Sequence, residues 1–461
     1  MVNPSLRLVP HDDLALIWRL KIVCPLRALA LGMVILLLMQ AVAQGAPKIT
    51  ITTDNTFISG SVKIILQGFE KNQPVTVSAS TTDSVDRTWE SYAEFLTDRH
   101  GRVDLATQAP ISGTYRHADS MGLFWSMSQV PGKKMIESIH SASTNVDVDI
   151  LRIAAAVSGQ FLVSATLQRS LLPPGVERIS VHDNGLRGIL LLPPGKKPHP
   201  GVIVLGGSEG GVPEIFAAYL ASKGYAALAL AYFNYEDLPK SLENIRLEYF
   251  ETAIGWLEAR KEIGHDGVAV LGGSRGAELA LLLGSNFPQI RAVVAFAPSN
   301  VIWPDPGGHR QPAWIYKGGP LPFMNGQLTP KQTEEMAQLN WTNPMALTRW
   351  CQIQLEDKAA VYDASIPVEK INGPVLLVSG NDDQLWPSTE MADMVMDRFK
   401  ETKHRFPDGH LAYPKVGHYI PLPNMPATAH FPLGGDTEST AAAAIDSWAQ
   451  VIKFLDSAFG R

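Results

Sequence analysis

Cysteine is nearly absent from this sequence, which contains only Cys24 and Cys351 among its 461 residues. A framework of several disulfides therefore cannot hold the chain together. No clustered Cys and His residues have the spacing of a zinc site, so the sequence implies no metal and no other cofactor. The fold must come from a hydrophobic core, for which 45% apolar residues are ample.

Positive charge is also scarce. The chain has 39 Lys and Arg residues against 45 Asp and Glu residues, a formal net charge of −6 at pH 7. Without a basic field, neither nucleic acid nor an anionic membrane surface is an expected partner. We expect a small-molecule partner instead.

The N-terminal apolar run, Ala28 to Met39, is not long. It is short for a membrane-spanning helix, which needs about 20 residues. Basic residues precede this run, and a small-x-small site, Ala41-Val42-Ala43, follows it. This pattern predicts that residues 1–46 are a signal peptide, so that the mature protein is periplasmic or secreted and keeps Cys351 as its single cysteine. The alternatives are an uncleaved N-terminal anchor, or a cytoplasmic protein with an upstream start.

Residues 47–170 alternate apolar and polar side chains in short stretches such as "KITITT", "SVKIILQG" and "GQFLVSATLQ". A period of two is typical of strands with one buried face, and it predicts an antiparallel β-sandwich domain. "SLLPPGVER" comes next, and its two prolines cannot continue a strand ladder, which makes it the expected linker.

Residues 171–461 change to apolar strand, loop and helix in alternation, as in "GVIVLGG", "EIFAAYLASKG" and "YAALALAYF". Such alternation predicts an α/β domain with a parallel sheet covered by helices on both faces. Thr440 to Phe459 has the apolar spacing of a closing helix. Between Pro298 and Val375 lies a Pro-, Gly- and Trp-rich stretch, which is either a lid or pocket insertion or an irregular loop.

The chain contains two similar phrases, "VLGGSEGG" at 204–211 and "VLGGSRGA" at 270–277, and both match Gly-x-Ser-x-Gly. In an α/β-hydrolase the nucleophile lies on a tight turn between a strand and the helix that comes directly after it. Ser274 fits, because "AELALLLGS" can start a helix immediately. Ser208 does not, because Pro213 favours a helix that begins only there. We therefore predict Ser274 as the catalytic nucleophile.

The first phrase is expected to serve a different purpose. A glycine-rich loop two strands upstream of the nucleophile supplies one backbone donor to the oxyanion hole of this fold, and the residue after the nucleophile supplies another. These donors would be Gly207 or Ser208 in the loop, and Arg275 after Ser274. A plain strand-to-helix turn or a phosphate-binding turn is the alternative for this loop.

The remaining catalytic partners must come after the nucleophile in chain order, first an acid and then a histidine. "VLLVSGNDDQLWP" places Asp382 and Asp383 after a strand, and we favour Asp382, although either aspartate could cap the next helix instead. Of two Gly-His pairs, His410 opens the last apolar stretch and His418 comes after it. A catalytic histidine belongs in the loop after the last strand, so we predict His418.

Several longer segments give the sequence a family resemblance over roughly residues 49–455: "MGLFWSM", "LLPPGV", "AYFNYEDLP" with "LEYFE", "GGSRGAELAL", "SGNDDQLWPS" and "YPKVGHYI". Through them it resembles the acyl-CoA thioesterase and bile acid-CoA:amino acid N-acyltransferase family. The resemblance implies an immunoglobulin-like β-sandwich before an α/β-hydrolase domain. The nucleophile, acid and base of the family fall on Ser274, Asp382 and His418.

The expected reaction is hydrolysis of an acyl thioester through an acyl-serine. Members of the family that transfer the acyl group to an amino acid carry cysteine at the nucleophile position, where this chain has Ser274. Two alternatives stay open at this point: an acyl-CoA:amino acid N-acyltransferase, and an exported carboxylesterase acting on oxygen esters. A binding protein that kept the fold without activity is a third, less economical interpretation.

Overall fold

A computed structural model describes residues 45–461, except 84–85, 131–147, 197, 341–342, 344 and 428–432. The predicted signal peptide lies outside the described residues up to position 44. Pro47–Arg461 form one compact unit. In the part of the chain that is described, none of the helices combines the length and the apolar content needed to cross a bilayer.

The N-terminal part is built from short antiparallel strands. One sheet has the order β1-β2-β5, and the other has the order β6-β4-β3-β8-β9 with β7 beside β4. The strands and one short helix are β1 (Lys48–Thr53), β2 (Val62–Gln67), β3 (Pro74–Thr82), β4 (Thr88–Leu96), β5 (Val103–Asp104), β6 (Ser112–Gly113), α1 (Gly122–Trp125), β7 (Ser128–Gln129), β8 (Val148–Val157) and β9 (Gln160–Ser170).

Alternation of apolar and polar residues explains how these strands pack. Along β4 the side chains of Trp89 and Phe95 are buried, while Tyr92 between them is exposed. Ile64 of β2 and Val77 of β3 belong to the same apolar core, so the two sheets share their buried faces. The predicted antiparallel β structure is thus observed, whereas its immunoglobulin-like classification and the domain boundary at 170/171 remain predictions.

An eight-stranded sheet dominates the rest of the chain, in the order β10-β11-β13-β12-β15-β16-β19-β20. The strands from β13 to β20 in that order run parallel, and β11 is antiparallel to both of its neighbours. The strands are β10 (Glu177–Val181), β11 (Arg187–Leu192), β12 (His199–Leu205), β13 (Ala226–Ala231), β15 (Ile263–Gly273), β16 (Ile290–Phe296), β19 (Val375–Gly380) and β20 (Gly409–Tyr413).

Helices cover both faces of this sheet, because its central strands are apolar on both sides. On β12, Ile203 packs into one apolar core and Val204 into the other. The helices are α2 (Glu214–Ser222), α3 (Leu247–Glu258), α4 (Arg275–Asn286), α5 (Pro330–Gln338), α6 (Met345–Leu355), α7 (Lys358–Ala364), α8 (Ser388–Thr402) and α9 (Thr437–Phe459). Helices α3, α4 and α8 contribute to the first core, and α2 and α9 to the second. The predicted α/β arrangement and closing helix are confirmed.

The stretch between Pro298 and Val375 is not a featureless loop. It contains α5, α6 and α7, and two strands, β17 (Trp314–Tyr316) and β18 (Gly319–Pro320), that form a small separate sheet with β14 (Ile245–Arg246). Trp303 and Cys351 from this stretch share an apolar cluster with Trp386, which lies shortly after β19. The segment therefore packs beside the loops at the carboxyl ends of the parallel strands, where open α/β sheets bind their ligands.

Candidate active site

Ser274 lies at a sharp turn between strand and helix. It comes directly after the end of β15 and is the N-cap residue of α4, with φ 55° and ψ −122°. A positive φ is unfavourable for a residue with a side chain, and such strain costs about 1–3 kcal/mol. The surrounding structure fixes the turn, since the Ser274 N–H donates to Phe296 O at 2.9 Å and its carbonyl accepts from Glu278 N at 3.1 Å. The turn has the geometry expected of a nucleophile elbow.

The glycines on either side of Ser274 are needed because two pieces of backbone meet there. A Cβ placed on Gly272 would collide with the carbonyl oxygen of Gly276. A Cβ placed on Gly276 would collide with the carbonyl oxygen of Gly206. Any side chain at either position would therefore force the turn apart. The second contact also joins the elbow to the first glycine-rich loop.

The first glycine-rich loop, residues 206–211, lies directly beside Ser274. A Cβ on Gly207 would be 3.2 Å from Ser274 Cβ. Ser208 is exposed, and α2 begins only at Glu214, with Pro213 as its N-cap residue. As the sequence predicts, this segment is a loop and not an elbow. Its backbone amides are near the nucleophile, but the N–H of Gly207 donates to the carboxylate of Glu209, with Oε1 2.8 Å away.

His418 pairs with Asp383, and not with Asp382, the aspartate favoured from the sequence. The distance from His418 Nδ1 to Asp383 Oδ2 is 2.9 Å, and both side chains are almost fully buried. Asp382 instead accepts hydrogen bonds from Gly435 N at 2.8 Å and from the Gln384 side chain. The preference for Asp382 over Asp383 as the partner of His418 is thus corrected.

The backbone after β19 explains this outcome. Asp382 N donates to Val416 O, which continues the pairing with the strand that leads to His418. The chain then turns, since Asp383 N donates to Gly380 O at 3.2 Å. Beyond this turn, the carboxylate of Asp383 accepts from the N–H groups of Leu385 and Trp386 through Oδ1 and lies against His418 Nδ1 through Oδ2.

The contact between Nδ1 and Asp383 leaves the other nitrogen of His418 available. Its Nε2 is buried and has no hydrogen-bond partner among the described residues. The ring lies against Trp386 in an edge-to-face contact, with centroids 5.7 Å apart. A carboxylate at Nδ1 favours the tautomer in which Nε2 can accept a proton. This is the arrangement of a general base.

His410 has the opposite character. Its Nε2 lies 2.7 Å from Ser379 Oγ and its Nδ1 lies 3.1 Å from Asp393 Oδ1, so both ring nitrogens have partners. Burial lowers the pKa of His410, although the charge of Asp393 opposes this effect. Ser379 is only 1% exposed, so its hydroxyl is closed to a substrate. His410 therefore fills a structural role between β20, β19 and α8.

A buried ion pair on the elbow helix, absent from the sequence predictions, forms hydrogen bonds to the 298–375 stretch. Arg275, the predicted second oxyanion donor, is 4% exposed and pairs with the fully buried Glu278 at 3.2 Å. Glu278 also accepts from Trp314 Nε1 at 2.6 Å and from Trp303 N at 3.2 Å. Burial raises the pKa of Glu278, and the Arg275 charge opposes this rise. A lone glutamate inside the apolar run "AELALLL" is the signal that indicates such a site.

Glu243, Asp305 and His309 are the described residues whose side-chain ligand atoms could hold a metal ion, since these atoms all lie within 4.8 Å of one another. Their existing bonds give them another role. The Asp305 carboxylate accepts from the backbone N–H groups of His309 and Gln311, at 3.1 and 2.6 Å. His309 Nδ1 lies 3.0 Å from Glu243 Oε1, and this hydrogen bond raises the pKa of the imidazole. The cluster is thus a hydrogen-bonded turn with an ion pair.

Comparison with known proteins covers both parts of the chain. Residues 60–183 match the "Acyl-CoA thioester hydrolase/BAAT N-terminal region", and residues 245–461 match "BAAT / Acyl-CoA thioester hydrolase C terminal". Among solved structures, an esterase of Pyrococcus furiosus is similar at a TM-score of 0.36 and 16% identity, covering 61% of this chain and 89% of the esterase. A puromycin-hydrolysing peptidase of Mycobacterium tuberculosis is similar at a TM-score of 0.41 and 11% identity, covering 87% and 58%.

Two acyl-CoA thioesterases are similar over most of their length and most of this chain. Mouse mitochondrial acyl-coenzyme A thioesterase 2 is 31% identical over 410 residues, which cover 87% of this chain and 86% of the relative. Human acyl-coenzyme A thioesterase 1 is 31% identical over 417 residues, which cover 87% and 93%. The chain therefore belongs to the acyl-CoA thioester hydrolase/BAAT family that its sequence resembles.

Proposed function

We propose that this protein is a serine hydrolase that cleaves acyl thioesters, with Ser274 as nucleophile, His418 as base and Asp383 as the acid that orients the base. The pairing of His418 Nδ1 with Asp383 carries the proposal, because it leaves Nε2 buried and unpaired among the described residues. The strained turn at Ser274 and the family's thioesterase members support it.

In the proposed reaction, His418 Nε2 takes the proton of the Ser274 hydroxyl as the oxygen attacks the acyl carbonyl. Asp383 holds the imidazole in the productive tautomer and stabilises its charged form. The developing oxyanion accepts hydrogen bonds from the N–H of Arg275 and from Gly207 or Ser208 in the neighbouring loop. The bond between the acyl carbon and sulfur then breaks, and the leaving thiolate takes up the proton from His418, which returns the imidazole to its neutral form. A thiol is acidic enough to need little help from this proton as it leaves.

Water completes the cycle when His418 takes one of its protons and the hydroxide attacks the acyl-serine. The bond between the acyl carbon and Ser274 Oγ breaks, His418 returns the proton to Oγ, and the free acid is released. An acyl-serine is an oxygen ester, which is less prone to attack by an amine than an acyl-cysteine thioester. Serine at position 274 therefore favours hydrolysis over transfer to an amino acid.

Product analysis tests this choice of acceptor. The full chain is incubated with a long-chain acyl-CoA, with and without glycine or taurine, and the products are separated by mass. Free acid should dominate in both reactions. N-acyl amino acid as the main product with the amine present would make the chain an acyltransferase. Turnover of short oxygen esters but not of acyl-CoA would make it a carboxylesterase.

The compartment belongs to the same proposal, because it decides which thioesters the protein meets. From the N-terminal pattern around the run Ala28 to Met39, we infer export with removal of residues up to about Ala43. The mass of the mature N-terminus in a fractionated cell would test this inference. Full-length chain in the cytosol would contradict it.

A further inference from the structure

Glu209 holds a group that the proposed reaction needs. Its Oε1 accepts the N–H of Gly207 at 2.8 Å. A Cβ on Gly207 would lie 2.8 Å from Glu209 Oε2 and 3.2 Å from Ser274 Cβ, so the carboxylate and the nucleophile flank the same glycine. A carboxylate oxygen on this amide lies where a substrate's oxyanion would be bound.

The charge of Glu209 also reaches the other side of the candidate site. Burial raises the pKa of the Tyr419 phenol, and the negative charge of Glu209 adds to this rise. Tyr419 is the residue directly after His418 in the chain. The same two causes, burial first and the charge of Glu209 second, raise the pKa of Tyr232, whose hydroxyl donates to Gly206 O. The carboxylate thus lies among groups of the site, even though Glu209 as a residue is exposed.

The loop does not depend on this carboxylate for its shape. The backbone carbonyl of Glu209 accepts from Asn234 Nδ2 at 3.0 Å, and Gly211 N donates to Phe233 O at 3.0 Å. Gly210 and Gly211 carry the positive φ angles of the turn, 67° and 74°. The Glu209 side chain can therefore move or be replaced while the backbone of the loop stays held.

We propose that Glu209 gates the oxyanion hole, because its carboxylate competes with the substrate's acyl oxygen for the N–H of Gly207. This inference rests on the proposed function, since an oxyanion hole has a use only if Ser274 attacks a carbonyl. The gate lowers the reactivity of Ser274 toward any acyl group that cannot displace the carboxylate. It also makes the hole less receptive to free carboxylates, which would meet a like charge there.

A neutral fluorophosphonate probe separates the gate from the rest of the mechanism. Ser274 Oγ attacks the phosphorus, fluoride leaves, and the serine proton passes to His418, while the phosphoryl oxygen needs the oxyanion hole. The labelling rate is compared among the wild-type chain, Glu209→Ala, Glu209→Gln and the control Glu251→Gln. Glu251 is an exposed glutamate on α3.

We expect Glu209→Ala to be labelled about three- to tenfold faster than the wild-type chain, a modest gain because the hydrogen bond is near solvent. Glu209→Gln should fall between them, because its amide oxygen can still accept from Gly207 but has no charge. Glu251→Gln should match the wild-type chain. Equal or slower labelling of Glu209→Ala would overturn the gate. No labelling of the wild-type chain at Ser274 would instead contradict the proposed function.

Inhibition of thioester hydrolysis by butyrate is a second test of the gate, and it does not rely on the labelling rate. With the competing carboxylate removed, butyrate should inhibit Glu209→Ala at a concentration about three- to tenfold lower than it inhibits the wild-type chain. A thermal unfolding midpoint confirms that both chains are folded. Weaker inhibition of the folded variant would mean that Glu209 helps to form the hole, and would overturn the gate.

Discussion

The two glycine-rich phrases have nearly the same letters but opposite structures. In the second, the positive φ falls on Ser274 itself, and the helix begins at the next residue. In the first, the positive φ angles fall on Gly210 and Gly211, and the exposed Ser208 lies in a loop. In the second phrase a strained backbone at Ser274 holds a hydroxyl in place. In the first phrase the positive φ angles lie at glycines, which adopt them without strain.

The residues that follow the two serines also differ in burial and in their partners. Arg275 is buried and paired with Glu278, so it anchors the elbow to the protein interior. Glu209 is exposed and folds back onto Gly207 of its own loop. The second phrase is therefore tied to the core, whereas the Glu209 side chain of the first phrase lies at the surface, as the proposed gate requires. The residues after a Gly-x-Ser-x-Gly match therefore decide whether it forms an elbow or a loop. They either begin a helix at once or delay it with a proline.

The substitution with the largest expected effect lies in the second phrase. Ser274→Ala should lower kcat by about a millionfold, because removing a triad nucleophile leaves only the binding groups to act. The fold should persist, since the hydrogen bonds that hold the turn use main-chain atoms of Ser274, which the substitution keeps. Turnover of a thioester substrate and circular dichroism measure the two properties. Substantial activity in a folded, pure Ser274→Ala chain would exclude the serine mechanism.

The second prediction concerns Asp383, the acid proposed to orient His418. Asp383→Asn should lower kcat by about ten-thousandfold, because the amide favours the wrong tautomer of His418. Asp382→Asn is the matched control and should lower kcat by less than about tenfold. The carboxylate of Asp382 accepts hydrogen bonds from Gly435 N and the Gln384 side chain, whereas His418 pairs with Asp383. Steady-state kinetics of the two variants decide between them. The reverse order would restore Asp382 as the acid.

The sequence is sufficient to predict where the helices after the two glycine-rich phrases begin, but not to choose between Asp382 and Asp383. Pro213 delays one helix and the Gly-Ala context of Ser274 permits another, and both effects are local, so both helix starts are predictable. The arrangement of Asp382 and Asp383 around His418 involves contacts between distant parts of the chain, such as Asp382 N with Val416 O and Asp382 Oδ2 with Gly435 N. The hydrogen bond that Gly207 N donates to the Glu209 carboxylate is local in sequence, but it depends on a side-chain rotamer that no sequence pattern indicates.

The third prediction tests how firmly the second phrase is anchored. Arg275→Met should lower the free energy of unfolding by about 3–5 kcal/mol, because it leaves the carboxylate of Glu278 buried without its cation. Adding Glu278→Gln to this variant should recover part of the loss, since the amide can still accept from Trp314 Nε1. Urea unfolding of both chains provides the values. A loss below about 1 kcal/mol in Arg275→Met would show that the ion pair is dispensable.

The smallest effect is expected at the serine of the first phrase. Ser208→Ala should change kcat/KM by less than about threefold, because the donors proposed for this loop are backbone N–H groups, which the substitution keeps. Its hydroxyl is exposed, so little stability should be lost. Kinetics beside Ser274→Ala, with the same thioester, make the comparison direct. A loss at Ser208 as large as that at Ser274 would mean that the two phrases share the chemistry, and that the loop's hydroxyl acts on the substrate.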